Sequence, residues 1–266
     1  MKNLKIIIFI LLIIFPFPVF ASYEHFKVWD MSDGLSNNTV KSITQDHLGF
    51  IWLGTFDGLC KFDGVDFTIF RHDLQDSLSI INNHVEVVAS VRDELWVGTK
   101  QGLNLYSYKE NNFRLCEWIL PTGERQKITE SIKNIVVNQG NVFVLTFSHE
   151  LLVRKKGCVF EPCDYKKNIE WLSISGYKEG LLIGHATDGL YVIDPDEMGI
   201  RAHFPFDSKI LSDCLYYSAN KDMIFLGFGI GYPSLAFRMN KENSLEKLEV
   251  RIPSSVKTIA DYKDET

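Results

Sequence analysis

The sequence predicts an all-β fold made of repeated four-stranded antiparallel units. Three observations predict it. First, a phrase recurs. "FIWLGTFDGLCKF" (Phe50–Phe62) and "ELWVGTKQGLNLY" (Glu94–Tyr106) share W-x-G-T-x-x-G-L, so Trp52, Gly54, Thr55, Gly58 and Leu59 answer to Trp96, Gly98, Thr99, Gly102 and Leu103. Second, weaker copies follow, with Phe143, Leu182 and Phe225 at the Trp position. These anchors lie roughly 43 residues apart, the length of one four-stranded propeller blade with its turns. Third, no unit contains a helical pattern long enough to cross over between parallel strands. The architecture expected is a β-propeller, incomplete, with about five blades and the start of a sixth.

Residues 1–21 stand apart as a signal peptide. Lys2 and Lys5 precede the unbroken apolar run Ile6–Phe15, Pro16 and Pro18 follow, and Val19-Phe20-Ala21 offers a cleavage site after Ala21. The run is short for a membrane span, which needs about 20 residues; an uncleaved anchor helix is the alternative. Export to the periplasm is therefore expected. Removing this segment, which holds two lysines and no acidic residue, makes the formal charge of −6 more negative still. An acidic exported chain is a poor nucleic-acid binder, because such binding rests on phosphate neutralisation.

Residues 22–266 are expected to form the propeller region. Its blades span 33–77, 78–124, 125–166, 167–207 and 208–250, with a partial blade over 251–266. In the first, "TVKSITQ" (Thr39–Gln45) is a β-branched alternating run and "DHLG" a turn. "FIWLGT" is the second strand, "FDG" a turn, and "LCKF" the third. Asp63-Gly64 signals a tight hairpin into "VDFTIF" (Val65–Phe70). The second strands, "FIWL", "LWV", "VFVL", "LLI" and "MIFL", are apolar throughout rather than alternating. A strand with one wet face alternates, whereas one covered on both faces need not. Blades packed between two neighbours explain this, with Trp52 and Trp96 buried between them and the following Gly (54, 98, 184, 227) leaving room for close backbone approach. On this reading the Trp and Thr of the motif are structural. "SSVKTIADYKDET" (Ser254–Thr266) reads as the first strand and turn of the sixth blade, and Tyr23–Asp30 as a segment able to add one outer strand.

The stretch from Asp33 to Gly64 fits D-G-L-S-x-N-x-V-x-x-I-x-Q-D-x-x-G-F-I-W-x-G-T-x-D-G-L-x-x-F-D-G. With its flanks (Trp29–Phe70) it resembles the first repeat of the two-component regulator propellers, the exported sensor portion of hybrid two-component systems in gut Bacteroidetes. The second repeat matches well and the later ones in hydrophobic skeleton only. The resemblance implies two seven-bladed propellers, a small β-sandwich, one membrane helix, a histidine kinase and often a receiver and DNA-binding module. It also implies that an oligosaccharide binds the periplasmic region and switches the kinase. The partners it implies are thus an oligosaccharide, the downstream sensor and kinase domains and, in a full-length form, a second copy. All seven histidines lie in the exported region, so no kinase histidine is assigned.

Blade topology puts the loop leading into strand one and the loop between strands two and three on one face. Rigid scaffolds carry function in such loops. The candidate ligand-binding residues there are Asn38, Phe56, Asn83, Lys100, Gln101, His149, Glu150, His185, Asp188 and Tyr232. Amides, carboxylates and imidazoles suit sugar hydroxyls, and aromatic faces suit sugar C–H surfaces. No catalytic residue, cofactor or metal is assigned. "GFGIG" (Gly227–Gly231) lacks the helix a phosphate loop needs, "DPDEMG" (Asp194–Gly199) lacks the later ligands of a calcium loop, and neither G-x-S-x-G nor H-E-x-x-H occurs. Glu150 and Asp188 leave a glycosidase open, so the alternatives to a sensor are a propeller glycosidase or polysaccharide lyase, or a protein-binding scaffold. The five cysteines (60, 116, 158, 163, 214) match no zinc spacing. Cys158 and Cys163, flanking "VFEP", are the pair that could bridge in an oxidising compartment; the alternative is that all five are small buried apolar residues.

Overall fold

The structure is a computed structural model that describes residues 27–120, 122–163, 169–194, 196–197, 199–206, 212, 214–227, 234–239 and 245–248. Residues 1–21, expected to be a signal peptide, Tyr232, and residues 251–266, expected to start a sixth blade, lie outside the described residues.

The described residues fold into five successive β-sheets. The first is β1 (Val40–Gln45), β2 (Ile51–Thr55), β3 (Gly58–Phe62) and β4 (Phe67–Phe70). The second is β5 (Val85–Val91), β6 (Glu94–Thr99), β7 (Gly102–Ser107) and β8 (Asn112–Leu115). A short hairpin, β9 (Glu117–Ile119) and β10 (Arg125–Lys127), follows. The third sheet contains β11 (Ile132–Asn138), β12 (Asn141–Thr146), β13 (Leu151–Lys156) and β14 (Val159–Pro162). The fourth is β15 (Trp171–Gly176), β16 (Leu182–Ala186), β17 (Gly189–Asp194) and β18 (Gly199–Pro205). The fifth is β19 (Cys214–Ser218), β20 (Met223–Gly227), β21 (Leu235–Met239) and β22 (Leu245–Leu248). The four strands named for each form an antiparallel meander, and the five sheets do not close into a ring among the described residues. Among the described residues the helical content is two single turns, Met31–Asp33 and Lys178–Gly180. Residues 27–30 form no strand; Trp29 instead sets its ring edge-on to Phe62 and Phe67.

The strands run through β-branched and apolar stretches and end where turn chemistry stops them. Asp63 Oδ1 accepts from the amides of Val65 and Asp66, and Gly64 takes the left-handed conformation that closes the β3–β4 hairpin. The motif Thr clamps the tighter turn before it. Thr55 Oγ1 donates to Gly58 O (2.9 Å) and accepts from Asp57 N (3.0 Å); Thr99 repeats this with Gly102 and Gln101. Thr146 accepts from Glu150 N across a turn one residue longer. These threonines are buried and structural.

The inner strands β1, β5, β11, β15 and β19 contact one another in succession, and the cores lie between sheets. Trp52 packs with Val85, Val88, Leu95 and Tyr106 between the first and second sheets. Trp96 meets Ile132, Ile135 and Val144 between the second and third. Phe143 meets Trp171 and Ile174 between the third and fourth. Both Trp side chains are fully buried, as the repeat requires. The glycine two residues on is a matter of space. A Cβ on Gly54 would stand 2.7 Å from Val85 Cγ1, and one on Gly98 would stand 2.7 Å from Ile132 Cγ2, each in the next sheet's inner strand.

In two respects the structure departs from the repeat as read in sequence. In the fourth sheet, Ser175 pairs with Ile183 as Thr44 pairs with Trp52, and Ala186 pairs with Gly189 as Thr55 pairs with Gly58. Ile183 therefore holds the Trp position, facing the fifth sheet with Ile224 and Leu226, while Leu182 faces the third sheet with Phe143. L-x-G imitated W-x-G, but the turn glycine fixes the register, and a one-residue shift exchanges the two faces of a strand. His185 consequently takes the place of Gly54. The second departure is the β9–β10 hairpin. It adds to the outer edge of the third sheet, with β9 parallel to β14, although it precedes that sheet's first strand.

Candidate functional site

In the first three sheets the loop between the second and third strands lies against the residue that leads into the inner strand. Phe56 N donates to Thr39 O, Lys100 N to His84 O and Phe147 N to Ser131 O. Phe56, Lys100 and Phe147 are thus equivalent positions on one rim. Two of the three are exposed aromatics, Phe56 at 44% and Phe147 at 49%. Buried apolar strands hold them there, so their exposure is a product of a rigid scaffold.

Each inner strand from β1 to β15 carries one bulged residue near this rim: Lys41, Glu86, Lys133 and Leu172. Bulges re-aim a side chain out of the ladder. The first three put charge at the mouth of an axial groove of about 420 Å³, which is lined further along by Ser42, Asn134, Ser175 and Tyr216. Lys41 Nζ lies 5.4 Å from the Phe56 ring centre and Lys133 Nζ 5.9 Å from that of Phe147. Lys41 Nζ is also 3.2 Å from Glu86 Oε2, and His84 Nε2 is 3.1 Å from Glu86 Oε1. The His84 ring stands 4.3 Å from that of Phe56. Burial pushes the His84 imidazole below its ordinary range, against the pull of Glu86, which keeps it neutral at neutral pH. Aromatic faces, the ammonium groups of Lys41, Lys100 and Lys133, the Glu86 carboxylate and a neutral imidazole therefore share this rim.

The residues expected from sequence divide into groups. Phe56, Lys100, Gln101 and Glu150 are exposed on the rim loops. Asn38 and Asn83 serve the backbone: Asn38 Oδ1 accepts from Met31 N (3.0 Å) and Asn83 Oδ1 from His72 N (2.6 Å). His149 is half-buried in a left-handed conformation, with Nδ1 2.7 Å from Trp171 O and Nε2 3.4 Å from Glu170, so it ties the third sheet to the fourth. Asp188 turns toward outer strands, accepting from the Tyr191 hydroxyl (2.7 Å) beside His203. His185 is a correction. It is fully buried inside β16 and offers no surface to the rim, because the register places it within the strand. Tyr232 lies outside the described residues. Phe147, Lys41, Glu86 and Lys133 are the rim residues that the candidate set lacked. The signal for the last three was a charged residue inside an otherwise β-branched strand.

The opposite face carries a different arrangement. Asp46 accepts from Trp52 Nε1 (2.6 Å) and from the amides of Leu48 and Phe50. Burial raises this carboxyl, but those hydrogen bonds outweigh it and hold it below the usual carboxylate range. A shallow cavity of about 330 Å³ nearby is lined by His47, Glu94, Tyr108 and Arg114. Among the described residues no cluster of three or more His, Cys, Asp or Glu side chains is placed to hold a metal, and no helix is long and apolar enough to cross a membrane.

Residues 34–57 match the two-component regulator propeller family. A 55-residue stretch is 51% identical to histidine kinase P4 of Formosa agariphila, covering 21% of this chain and 4% of that protein. The fold resembles the extracellular domain of a hybrid two-component system from B. thetaiotaomicron, with TM-score 0.63 and 23% identity over 83% of this chain and 31% of that one. It also resembles virginiamycin B lyase from Staphylococcus aureus, with TM-score 0.56 and 12% identity over 81% of this chain and 71% of that one. The chain thus spans about a third of the extracellular domain it matches and a small fraction of the kinase. It carries the two-component regulator propeller repeat, on a propeller fold like that of the extracellular domains of Bacteroides hybrid two-component systems.

Proposed function

We propose that this chain is the ligand-sensing segment of an exported two-component signalling protein, and that it binds an oligosaccharide on the rim carrying Phe56 and Phe147. The observation that carries the proposal is the equivalence of those two exposed aromatics, each beside a bulge lysine, in a chain whose strongest motif is a regulator-propeller repeat. Aromatic faces take the C–H surface of a pyranose, and Lys41, Glu86 and Lys100 offer donors and acceptors to its hydroxyls. Relay to a kinase domain, periplasmic location after cleavage at Ala21, and pairing of two copies in the full-length protein belong to the same proposal. The region is proposed to span residues 22–266, with the blade boundaries given above.

The test is calorimetry with a panel of oligosaccharides from plant, algal and host polysaccharides, with each mixture analysed afterward by mass. A sensor binds a member of the panel and returns it intact. Shortened or unsaturated products would instead identify a glycosidase or lyase, a reading the lyase-like fold keeps open. Phe56→Ala and Phe147→Ala should each weaken binding at least tenfold. A footprint confined to the opposite face, around Asp46-His47 and Asp63-Gly64, would overturn the choice of rim.

A further inference from the structure

We propose that Cys116 and Cys158 form a disulfide, a covalent staple between the end of the second sheet and the outer edge of the third. Their Sγ atoms lie 3.0 Å apart. The juxtaposition comes from the unanticipated hairpin: β9 runs parallel to β14, with Glu117 opposite Val159, so the two cysteines stand one step before that pair. Glu117 N donates to Cys158 O (2.9 Å), which ties the backbones together at that step. Neighbouring strands lie about 4.8 Å apart, inside the roughly 4.4–6.8 Å Cα window of a disulfide.

The two partners differ in freedom and chemistry. Cys116 is fully buried and its backbone is fixed, its amide donating to Leu103 O and its carbonyl accepting from Ile128 N. Cys158 is half-buried in the Gly157-Cys158 turn, which needs to yield only about 1 Å to reach an S–S length of about 2.05 Å. The hydrogen bond from the Cys116 thiol, together with the nearby Arg114 charge, holds the Cys158 thiol below its usual range, whereas burial pushes Cys116 up. Cys158 is therefore the attacking thiolate. It displaces one sulfur of a disulfide donor, such as oxidised glutathione or an oxidised dithiol protein. Cys116 then loses its proton and attacks Cys158 Sγ, releasing the second donor thiol. Two protein thiols are oxidised and one donor disulfide is reduced to two thiols.

This pairing replaces the Cys158–Cys163 bridge open from sequence. Cys158 packs against the core between the second and third sheets, whereas Cys163 packs in the core between the third and fourth, on the other face. The inference does not depend on the sugar-binding proposal.

The experiment incubates the reduced chain in oxidised and reduced glutathione mixtures, quenches it in denaturant with a maleimide, and maps peptides without reduction. A Cys116–Cys158 linked peptide is expected, absent from Cys158→Ser and kept in Cys163→Ser. Its thermal midpoint should fall when reductant is added to wild type and to Cys163→Ser, and stay put in Cys158→Ser. Full maleimide labelling of Cys116 and Cys158 in excess oxidised glutathione would overturn the inference. So would a stable glutathione adduct on Cys158 or a Cys158–Cys163 linked peptide.

Discussion

Replacing Gly54 by Ala tests how the blades are joined. Gly54 has no left-handed backbone to lose, so the new Cβ acts through space alone. It would stand 2.7 Å from Val85 Cγ1 and 3.3 Å from Val85 Cβ, where ordinary contact begins near 3.4 Å. Overpacking of this kind costs about 1–3 kcal/mol, and the stiffer unfolded chain returns about 0.4–1 kcal/mol. A net loss of about 1–2 kcal/mol is expected. Val85 is fully buried, and Val85→Ala removes two methyl groups and leaves a cavity, costing about 2–3 kcal/mol. In the double variant the alanine at 54 enters the space left by Cγ1, leaving the 3.3 Å contact with Cβ and an ordinary 3.5 Å contact with Val85 O. The double variant should therefore be more stable than the sum of the singles by at least about 1 kcal/mol. Urea unfolding followed by tryptophan fluorescence measures all four corners of the cycle. Additivity within about 0.5 kcal/mol would refute the claim that Gly54 exists to admit the neighbouring inner strand.

Trp52→Ala should lose about 3–5 kcal/mol, since the side chain is fully buried and its Nε1 satisfies Asp46; a loss under 1 kcal/mol in the same unfolding assay would contradict its role between sheets. Asp46 has a folded pKa below its ordinary 3.8, so its contribution is present above that value and disappears as pH falls through the lower folded value. Asp46→Asn should be less stable at neutral pH and show a flatter stability curve below about pH 4, checked by thermal melts across an acid series. Phe147→Ala should leave stability within about 0.5 kcal/mol, because half the ring is already exposed; a large drop in melting temperature would mean that the ring serves packing and would weaken the case for the rim.

Much of the fold was legible in the sequence, because a meander is written locally. Asp63-Gly64 specifies a hairpin, Thr55 and Gly58 specify a turn, and the apolar run through Trp52 specifies a strand covered on both faces. Where the motif is degenerate, the local pattern misplaces the strand register. Leu182 and Gly184 imitate the motif, yet Ile183 and His185 occupy those positions, which moved His185 from a supposed rim residue into the interior. The candidate site was half legible. Phe56 and Lys100 follow from the turn's place in the repeat, but Lys41, Glu86 and Lys133 reach the rim only through bulges.

By itself, then, the sequence determined the all-β class, the four-strand period, the burial of Trp52 and Trp96 and the face on which the loops gather. Side-chain alternation and turn stereochemistry act over a few residues and are visible in any window of that length. Only the tertiary structure decided which inner-strand residues bulge toward the axis, that β9 pairs with a strand formed later in the chain, and that Cys116 meets Cys158 rather than Cys163 meeting it. Those outcomes depend on how whole sheets stack. Contacts between residues tens of positions apart are set by the fit of packed surfaces, which no local pattern encodes.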